Sequence, residues 1–354
     1  MLIIGGVQAQ YQFKTLQDLS CTSVKNQSQT GTCWSFTTVS FLESELIRLG
    51  KPATDLSEMF VVRAIYKDKA RNYFLRQGLA NFSQGSLSHD VIRAFSMEGI
   101  LPETGYSGLK EGQTQHNHSA LERELKGFVD GQVASRRAIS EWMPEFEAIL
   151  DKHMGSVNTP MLVDDASLTA QEYAKSLDVN PEDYVSLTSF THHPLYQSFI
   201  LEIPDNYSNG SYYNVSLEDL KEVAQHALKN GFTVAWDGDV SESTFQARKG
   251  LAILPENPKS KWMEAPVTEM EVNSENRQAQ FENFATTDDH LMHLVGMSKD
   301  QDGDIYFKVK NSWGSIGPYD GFLQMSLPYY AMKTVGIMVH KDALPKKLRT
   351  KLKL

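Results

Sequence analysis

The sequence predicts an α+β fold, with a mainly helical first part and a strand-rich second part. Three observations carry that expectation. Apolar residues recur at helical spacing through much of residues 33–154. Short apolar or alternating runs bounded by turn residues dominate from residue 199 onward. The chain has 354 residues, 41% of them hydrophobic, which suffices for a substantial core in two packed lobes.

The first helix is expected to begin at Cys33. Phe36, Val39, Leu42, Leu46 and Leu49 follow at steps of three, three, four and three, Gly50 suits the residue after the helix, and Pro52 prevents continuation. Thr30, Gly31 and Thr32 supply a turn and a cap. Further helices are expected over about 58–80, opened by the capping-box pattern Ser57-Glu58, and over 88–99. Residues 108–118 read as a polar loop, 119–154 as one long charged helical stretch, 155–166 as a linker containing Pro160, and 167–200 as short helix and turn. Strands are expected over 199–203, 232–237, 291–297, 305–310 and 321–325. Between them, 216–230 is amphipathic, with Leu220, Val223, Ala224, Ala227 and Leu228 on one face. Segment 255–285 reads as an excursion with helix near 268–283, and no internal repeat is evident.

The segment Val24 to Phe36 carries the chemistry. It places Cys33 where a Gly-containing loop turns into a helix, with Gln27 six residues upstream. A thiol at a helix N-terminus sits among unpaired N–H groups and the positive end of the dipole, so its thiolate is expected to be favoured. A buried, inert cysteine is the alternative, and a histidine partner decides between them. His290 and His293 lie in an apolar run that reads as a strand, and a second strand leads to Asn311-Ser312-Trp313-Gly314. Asp302-Gly303 between them is a hairpin signal that would bring a histidine beside Asn311. An odd spacing puts His290 and His293 on opposite strand faces. His290, at the strand's start after two aspartates, is the expected base, and His293 a core residue. Asn311 would fix the imidazole tautomer, and Trp313 would shield that bond from water.

These residues resemble the papain-like cysteine peptidases. Gln27 to Cys33-Trp34, Asp289-His290 followed by Gly296, Asn311 to Gly314, and Gly321-Phe322-Leu323 stand in the family's order, as do Leu56-Ser57-Glu58 and the turn Gly85-Ser86-Leu87. The chain is most similar to the bleomycin hydrolase and aminopeptidase C branch. His290 lies 257 residues beyond Cys33, against roughly 130–150 in simpler members. Segments 167–173, 184–203, 216–231 and 233–240 resemble the branch's middle blocks, and the likeness runs from about residue 16 to residue 350. The resemblance implies a two-lobe fold, a helical lobe and a β-barrel-like lobe with the site in the cleft between them. It implies a peptidase acting on peptide substrates, with Cys33 as nucleophile, His290 as base and then acid, and Asn311 as orienter. Gln27 and the Cys33 N–H would form the oxyanion hole, and Gly85, Ser86 and Trp313 would line the cleft. The branch implies aminopeptidase action and a hexamer. Here residues 343–354 resemble only the helix before the branch's C-terminal arm, so an endopeptidase, or a non-catalytic peptide binder using the same cleft, stands as the alternative. The inserted helical section is also trimmed, so a homo-oligomer stays open but the hexamer contacts are not assumed to carry over.

The boundaries follow: 1–9 as a signal-peptide remnant, 10–200 as the mainly helical lobe with the insertion at about 108–185, and 201–354 as the mainly β lobe of one interleaved domain. Leu2 to Ala9 resembles the end of an export signal, which favours an exported protein over a cytoplasmic one. The net charge is 34 − 44 = −10, which argues against a general nucleic-acid binder, and the basic run 346–353 reads as a solvated helix end. No segment approaches the ~20 apolar residues of a membrane span. Cys21 and Cys33 are the two cysteines; no disulfide is expected, because it would consume the nucleophile, and Cys21 reads as buried. His116-Asn117-His118 and His192-His193 lack a carboxylate or cysteine at ligand spacing, so no metal or cofactor is expected. His89-Asp90 reads as capping or cleft lining, and Asp237 and Asp239 as turn residues.

Overall fold

A computed structural model describes residues 11–163 and 166–354, so the leader-like stretch expected over residues 1–9 lies outside the described residues. The helices are α1 (Cys33–Arg48), α2 (Glu58–Leu75), α3 (Ser88–Glu98), α4 (Ser119–Ser135), α5 (Ile139–Met154), α6 (Ala170–Ser176), α7 (Leu217–Lys229), α8 (Ser274–Glu282), α9 (Leu327–Lys333) and α10 (Lys346–Leu352). The strands are β1 (Lys14–Asp18), β2 (Met161–Val163), β3 (Ala166–Leu168), β4 (Tyr184–Thr188), β5 (Ser198–Ile200), β6 (Ser211–Asn214), β7 (Val234–Gly238), β8 (Phe245–Gln246), β9 (Leu251–Ala252), β10 (His290–Lys299), β11 (Ile305–Lys310), β12 (Phe322–Ser326) and β13 (Thr334–His340).

α1 begins at Cys33 and stops before Gly50, whose φ of +78° closes it. It is buried on all sides from Cys33 to Leu46, beyond a single apolar stripe. Several of its polar residues bond to neighbouring segments. Ser35 donates to the Glu58 carbonyl at 2.9 Å, Thr38 to Ser88 at 3.0 Å, and Glu43 accepts from the Leu56 N–H at 2.8 Å. Ser57 caps α2 by accepting from Phe60 at 3.0 Å. α2 ends sooner than expected, because the chain turns left-handed at Gln77 and Gly78.

The expected long helix over 119–154 is two helices. The chain takes a left-handed step at Arg136 (φ 55°), and α5 then folds back on α4. Trp142 and Phe146 of α5 meet Phe128 of α4 edge-on, which buries both apolar faces against each other. The linker over 155–166 contributes the start of a small hairpin, β2 with β3.

Eleven strands form one sheet in the order β5-β6-β4-β13-β7-β10-β11-β12-β9-β8, with β1 added to β10. Two central members were not foreseen. β4 falls where short helix and turn were expected, and β13 follows the last expected strand; the two pair with each other, and β13 also pairs with β7. The sheet is open at β5 and β8 among the described residues, so the expected barrel-like closure is not found.

Two hydrophobic cores flank the sheet. One joins α1 to α5 with Ala235, Leu291 and Met338 from the sheet. The other lies under Trp236, Met292, Leu294 and Phe307 and is covered by α7, α9 and α10. No helix among the described residues is long and apolar enough to cross a membrane. The basic end of the chain is more than a solvated helix: Leu348 and Leu352 of α10 are buried in the second core, while Arg349 pairs with Asp342 at 2.8 Å.

Candidate active site

The β10–β11 hairpin builds the first half of the site. Asp300 accepts the N–H groups of Asp302, Gly303 and Asp304 at 3.0 Å each, so one carboxylate oxygen shapes the turn. The register pairs His293 with Lys310, which sets Asn311 just past the end of β11 and near the start of β10. Asn311 Oδ1 then accepts from His290 Nε2–H at 2.8 Å and from the Ser312 N–H at 2.7 Å. With Nε2 carrying the proton, Nδ1 is the basic nitrogen of the neutral ring. Trp313 lies over the imidazole with ring centroids 4.7 Å apart. Both His290 and Asn311 are buried.

The loop before α1 builds the second half. Its N–H and C=O groups pair with the segment after β11: Gln27 N–H donates to Ser312 O at 2.9 Å, and Gly314 N–H to Lys25 O at 3.0 Å, with Gly314 at φ +75°. The Ser312 hydroxyl donates to Gln27 Oε1 at 2.6 Å, and Gln27 Nε2 donates to Thr30 O at 2.7 Å. These two bonds fix which end of the carboxamide is the donor and leave its second amide hydrogen for another acceptor. Ser312 was not singled out from the sequence; its place inside the Asn-Ser-Trp-Gly block was the available signal. Cys33 is buried, 8% exposed, and the backbone of Leu291, one residue after His290, acts to lower its thiol pKa.

His293 stands elsewhere. Its Nδ1 is 3.0 Å from Ser40 Oγ on α1, and Ser40 in turn accepts from Lys310 at 2.7 Å. Burial and the Lys310 charge hold its pKa well below the ordinary value. Gly85 and Ser86 lie in a turn fastened to the Cys33 loop: Gly31 N–H donates to Gln84 Oε1 at 2.8 Å, and Trp34 Nε1 donates to Gln84 O at 2.9 Å. The Ser86 side chain is turned away from any cleft. It is 1% exposed and donates to Asp90 Oδ2 at 2.6 Å, because α3 draws it into its N-terminal cap.

The electrostatics differ from the expectation of a favoured thiolate. Burial pushes the Cys33 thiol up to about 12, with further upward pressure from Asp288, Asp237 and Asp205. Burial likewise pushes His290 down to about 4, against the upward pull of its bond to Asn311. The partial charges of a helix terminus are outweighed by desolvation and three nearby carboxylates. Burial thus favours the neutral forms of both groups, thiol and imidazole.

Asp237 corrects a second expectation. Asp239 does turn chemistry, accepting from Ser241 and Thr287, but Asp237 lies inside β7 opposite Leu291 and is buried. The fold also brings Glu202 to His192 and His193, at 3.3 and 2.7 Å, so a carboxylate absent from their neighbourhood in sequence joins them. His89 packs beside α3's start, its Nε2 3.1 Å from Ser208 Oγ. Cys21 is free, as is Cys33, and only partly buried.

The comparisons with known proteins bear on the family and the fold. A model described as the Peptidase C1-like family matches residues 162–354, and one described as the papain family cysteine protease matches residues 8–150. The chain belongs to the Peptidase C1-like family. It is a cysteine peptidase of papain type, and the candidate residues Gln27 and Cys33 fall in one matched segment, His290 and Asn311 in the other. This peptidase is 22% identical to aminopeptidase W of Lactobacillus delbrueckii subsp. lactis, over 95% of this chain and 85% of that protein. It is 23% identical to aminopeptidase C of Streptococcus thermophilus, over 92% of this chain and 82% of the other. Aminopeptidase G of Lactobacillus delbrueckii subsp. lactis is 31% identical, but over 49% of this chain and only 39% of that protein. The crystal structure of PepW from Lactobacillus rhamnosis HN001 shares the fold, with a TM-score of 0.75 at 19% identity over 96% of this chain and 84% of that one.

Proposed function

We propose that this peptidase hydrolyses peptide bonds through Cys33, His290 and Asn311, removing residues from the amino terminus of peptides. The observation that carries the reading is the His290–Asn311 hydrogen bond at 2.8 Å, with the backbone of the next residue, Leu291, acting on the Cys33 thiol. Cys33 belongs to the first hydrophobic core and Trp313 packs against the second, which we read as a helical and a sheet lobe on either side of a cleft. The aminopeptidase mode is drawn from the printed names of the relatives.

In this reading His290 Nδ1 takes the Cys33 proton as the sulfur attacks the scissile carbonyl carbon. The carbonyl oxygen becomes an oxyanion, held by the second Gln27 amide hydrogen and the Cys33 backbone N–H. The C–N bond then breaks, and His290 returns the proton to the leaving amine. Water, deprotonated by the same ring, attacks the thioester and frees the acid and the thiol. Asn311 holds the ring through both proton transfers, and its neutral amide adds no charge. Trp313 excludes water from that bond.

The test uses fluorogenic peptides with free and acetylated amino termini. The wild type should cleave the free-amine series faster, and Cys33→Ala should cleave neither while keeping its folded circular-dichroism spectrum. Equal cleavage of both series would establish endopeptidase action instead. Turnover that survives Cys33→Ala would remove the nucleophile assignment.

A further inference from the structure

A cavity of about 490 Å3 opens between residues 202–205 and 278–288. Ile203, Phe281 and Phe284 make part of its wall apolar, and Asp205 and Asp288 make another part acidic. Phe284 is 81% exposed at this cavity and sits at φ +61°, a strained conformation for a bulky residue. Asp288 is two residues before His290, and Asp205 lies against Gly85, whose missing Cβ would fall 1.8 Å from Asp205 Oδ2. The acidic wall therefore reaches from the Gly85 turn to the His290 strand.

Asp237 lies beside Asp288 and is 5% exposed. Burial and the charge of Asp288 hold the Asp237 carboxyl well above its ordinary range. Both Asp237 oxygens and Asp288 Oδ2 have no partner among the described residues. A structural network of buried polar groups normally closes on donors; this one consists of acceptors. Lys69 is the buried cation nearby, yet it points its ammonium at the Ser83 and Gly85 carbonyls. Asp205 Oδ1 accepts from Asn81 Nδ2 at 2.9 Å and Ser83 Oγ at 3.4 Å, and its other oxygen faces the Gly85 gap.

We propose that Asp205, Asp237 and Asp288 form a subsite for a primary ammonium group of the substrate, next to the carbonyl held at Cys33. The inference deepens the peptidase reading and rests on it for the position of that carbonyl. An ammonium brings three N–H donors to a site that lacks donors, and a positive charge to three carboxyls. On binding, the proton that Asp237 keeps leaves to solvent, so the pair becomes fully ionised as the cation arrives. The apolar wall takes the hydrocarbon part of the same residue. Two sources satisfy this chemistry: the free α-amine of the peptide, or a lysine side chain.

The experiment measures binding by calorimetry to full-length Cys33→Ala, so that no turnover intervenes. The probes are a tripeptide amide with a free amine, its N-acetyl form, and an N-acetyl form carrying lysine. The expected result is that an ammonium-bearing peptide binds about tenfold or more tightly than the neutral one, and that Asp237→Asn or Asp288→Asn removes that advantage. Tight binding of the free-amine probe alone assigns the α-amine; retention by the acetylated lysine probe assigns the side chain. Equal binding of all three probes overturns the proposal, as does an advantage that survives both substitutions in protein with a folded spectrum. The peptidase reading fails separately, if wild type binds an ammonium peptide through these carboxylates and never cleaves it.

Discussion

Ser312 ties the two halves of the site together, since its hydroxyl orients the Gln27 amide and its N–H is held by Asn311. Gln27→Ala should therefore lower kcat by about 10²–10³-fold, the usual cost of one oxyanion donor, with KM little changed. Ser312→Ala should cost less, roughly 2–10-fold, because it removes one orienting hydrogen bond and leaves the amide in place. His293→Ala should leave the chemical step intact and lower thermal stability, because its partner is Ser40 in the core. Steady-state kinetics and a melting curve on the same preparations separate these outcomes. The Cys33 thiol gives an independent readout. Asp205 is among the charges that raise its pKa. Asp205→Asn should thus speed alkylation of Cys33 by iodoacetamide at neutral pH, scored by mass of the modified peptide.

At the scale of elements, the site depends on two fastenings. The β10–β11 hairpin sets His290 against Asn311, and the Gln84–Gly85 turn is pinned to the Cys33 loop by Gly31 and Trp34. The turn is also where close packing is tightest. Gly85→Ala would put a methyl group 1.8 Å from the Asp205 carboxylate. The turn or Asp205 must move, with an expected stability loss of about 1–3 kcal/mol. Chemical denaturation measures that loss.

The whole molecule places its charges at a cost to stability. Burial and its acidic neighbours hold Asp237 well above the ordinary 3.8. The native state therefore keeps a proton that the unfolded chain has released, so stability falls as pH rises from about 4 upward. Asp237→Asn should remove that slope, raising the melting temperature at pH 8 and changing it little near pH 4. His290 acts with the opposite sign. Its pKa falls from 6.5 to about 4, so its contribution is full above 6.5 and is lost as pH drops through that window. Melting curves across pH for wild type and Asp237→Asn check the first slope directly.

Much of this was legible in the chain. Helical spacing fixed α1, from Cys33 to the glycine that stops it, and alternation fixed β11 to the residue. The ordered motifs around Cys33, His290 and Asn311 pointed to the family, because they are local patterns with a chemical reason for each residue type. Less was legible where pairing partners decide. β4 and β13 take their strand state from neighbours far along the chain. The long charged stretch read as one helix, since a left-handed step at an arginine leaves no mark in composition.

Local sequence thus determined which residues carry the chemistry and which segments begin or end a helix, because caps, periodicity and turn residues act over a few positions. Tertiary structure alone decided the environment of those residues. It buried the thiol among carboxylates from three separate segments, at residues 205, 237 and 288, and so raised a pKa that the helix terminus by itself would have lowered. It also brought Glu202 to the paired histidines and opened the sheet that was expected to close. Desolvation and charge fields depend on what the whole chain packs around a group, and no stretch of neighbouring residues contains that information.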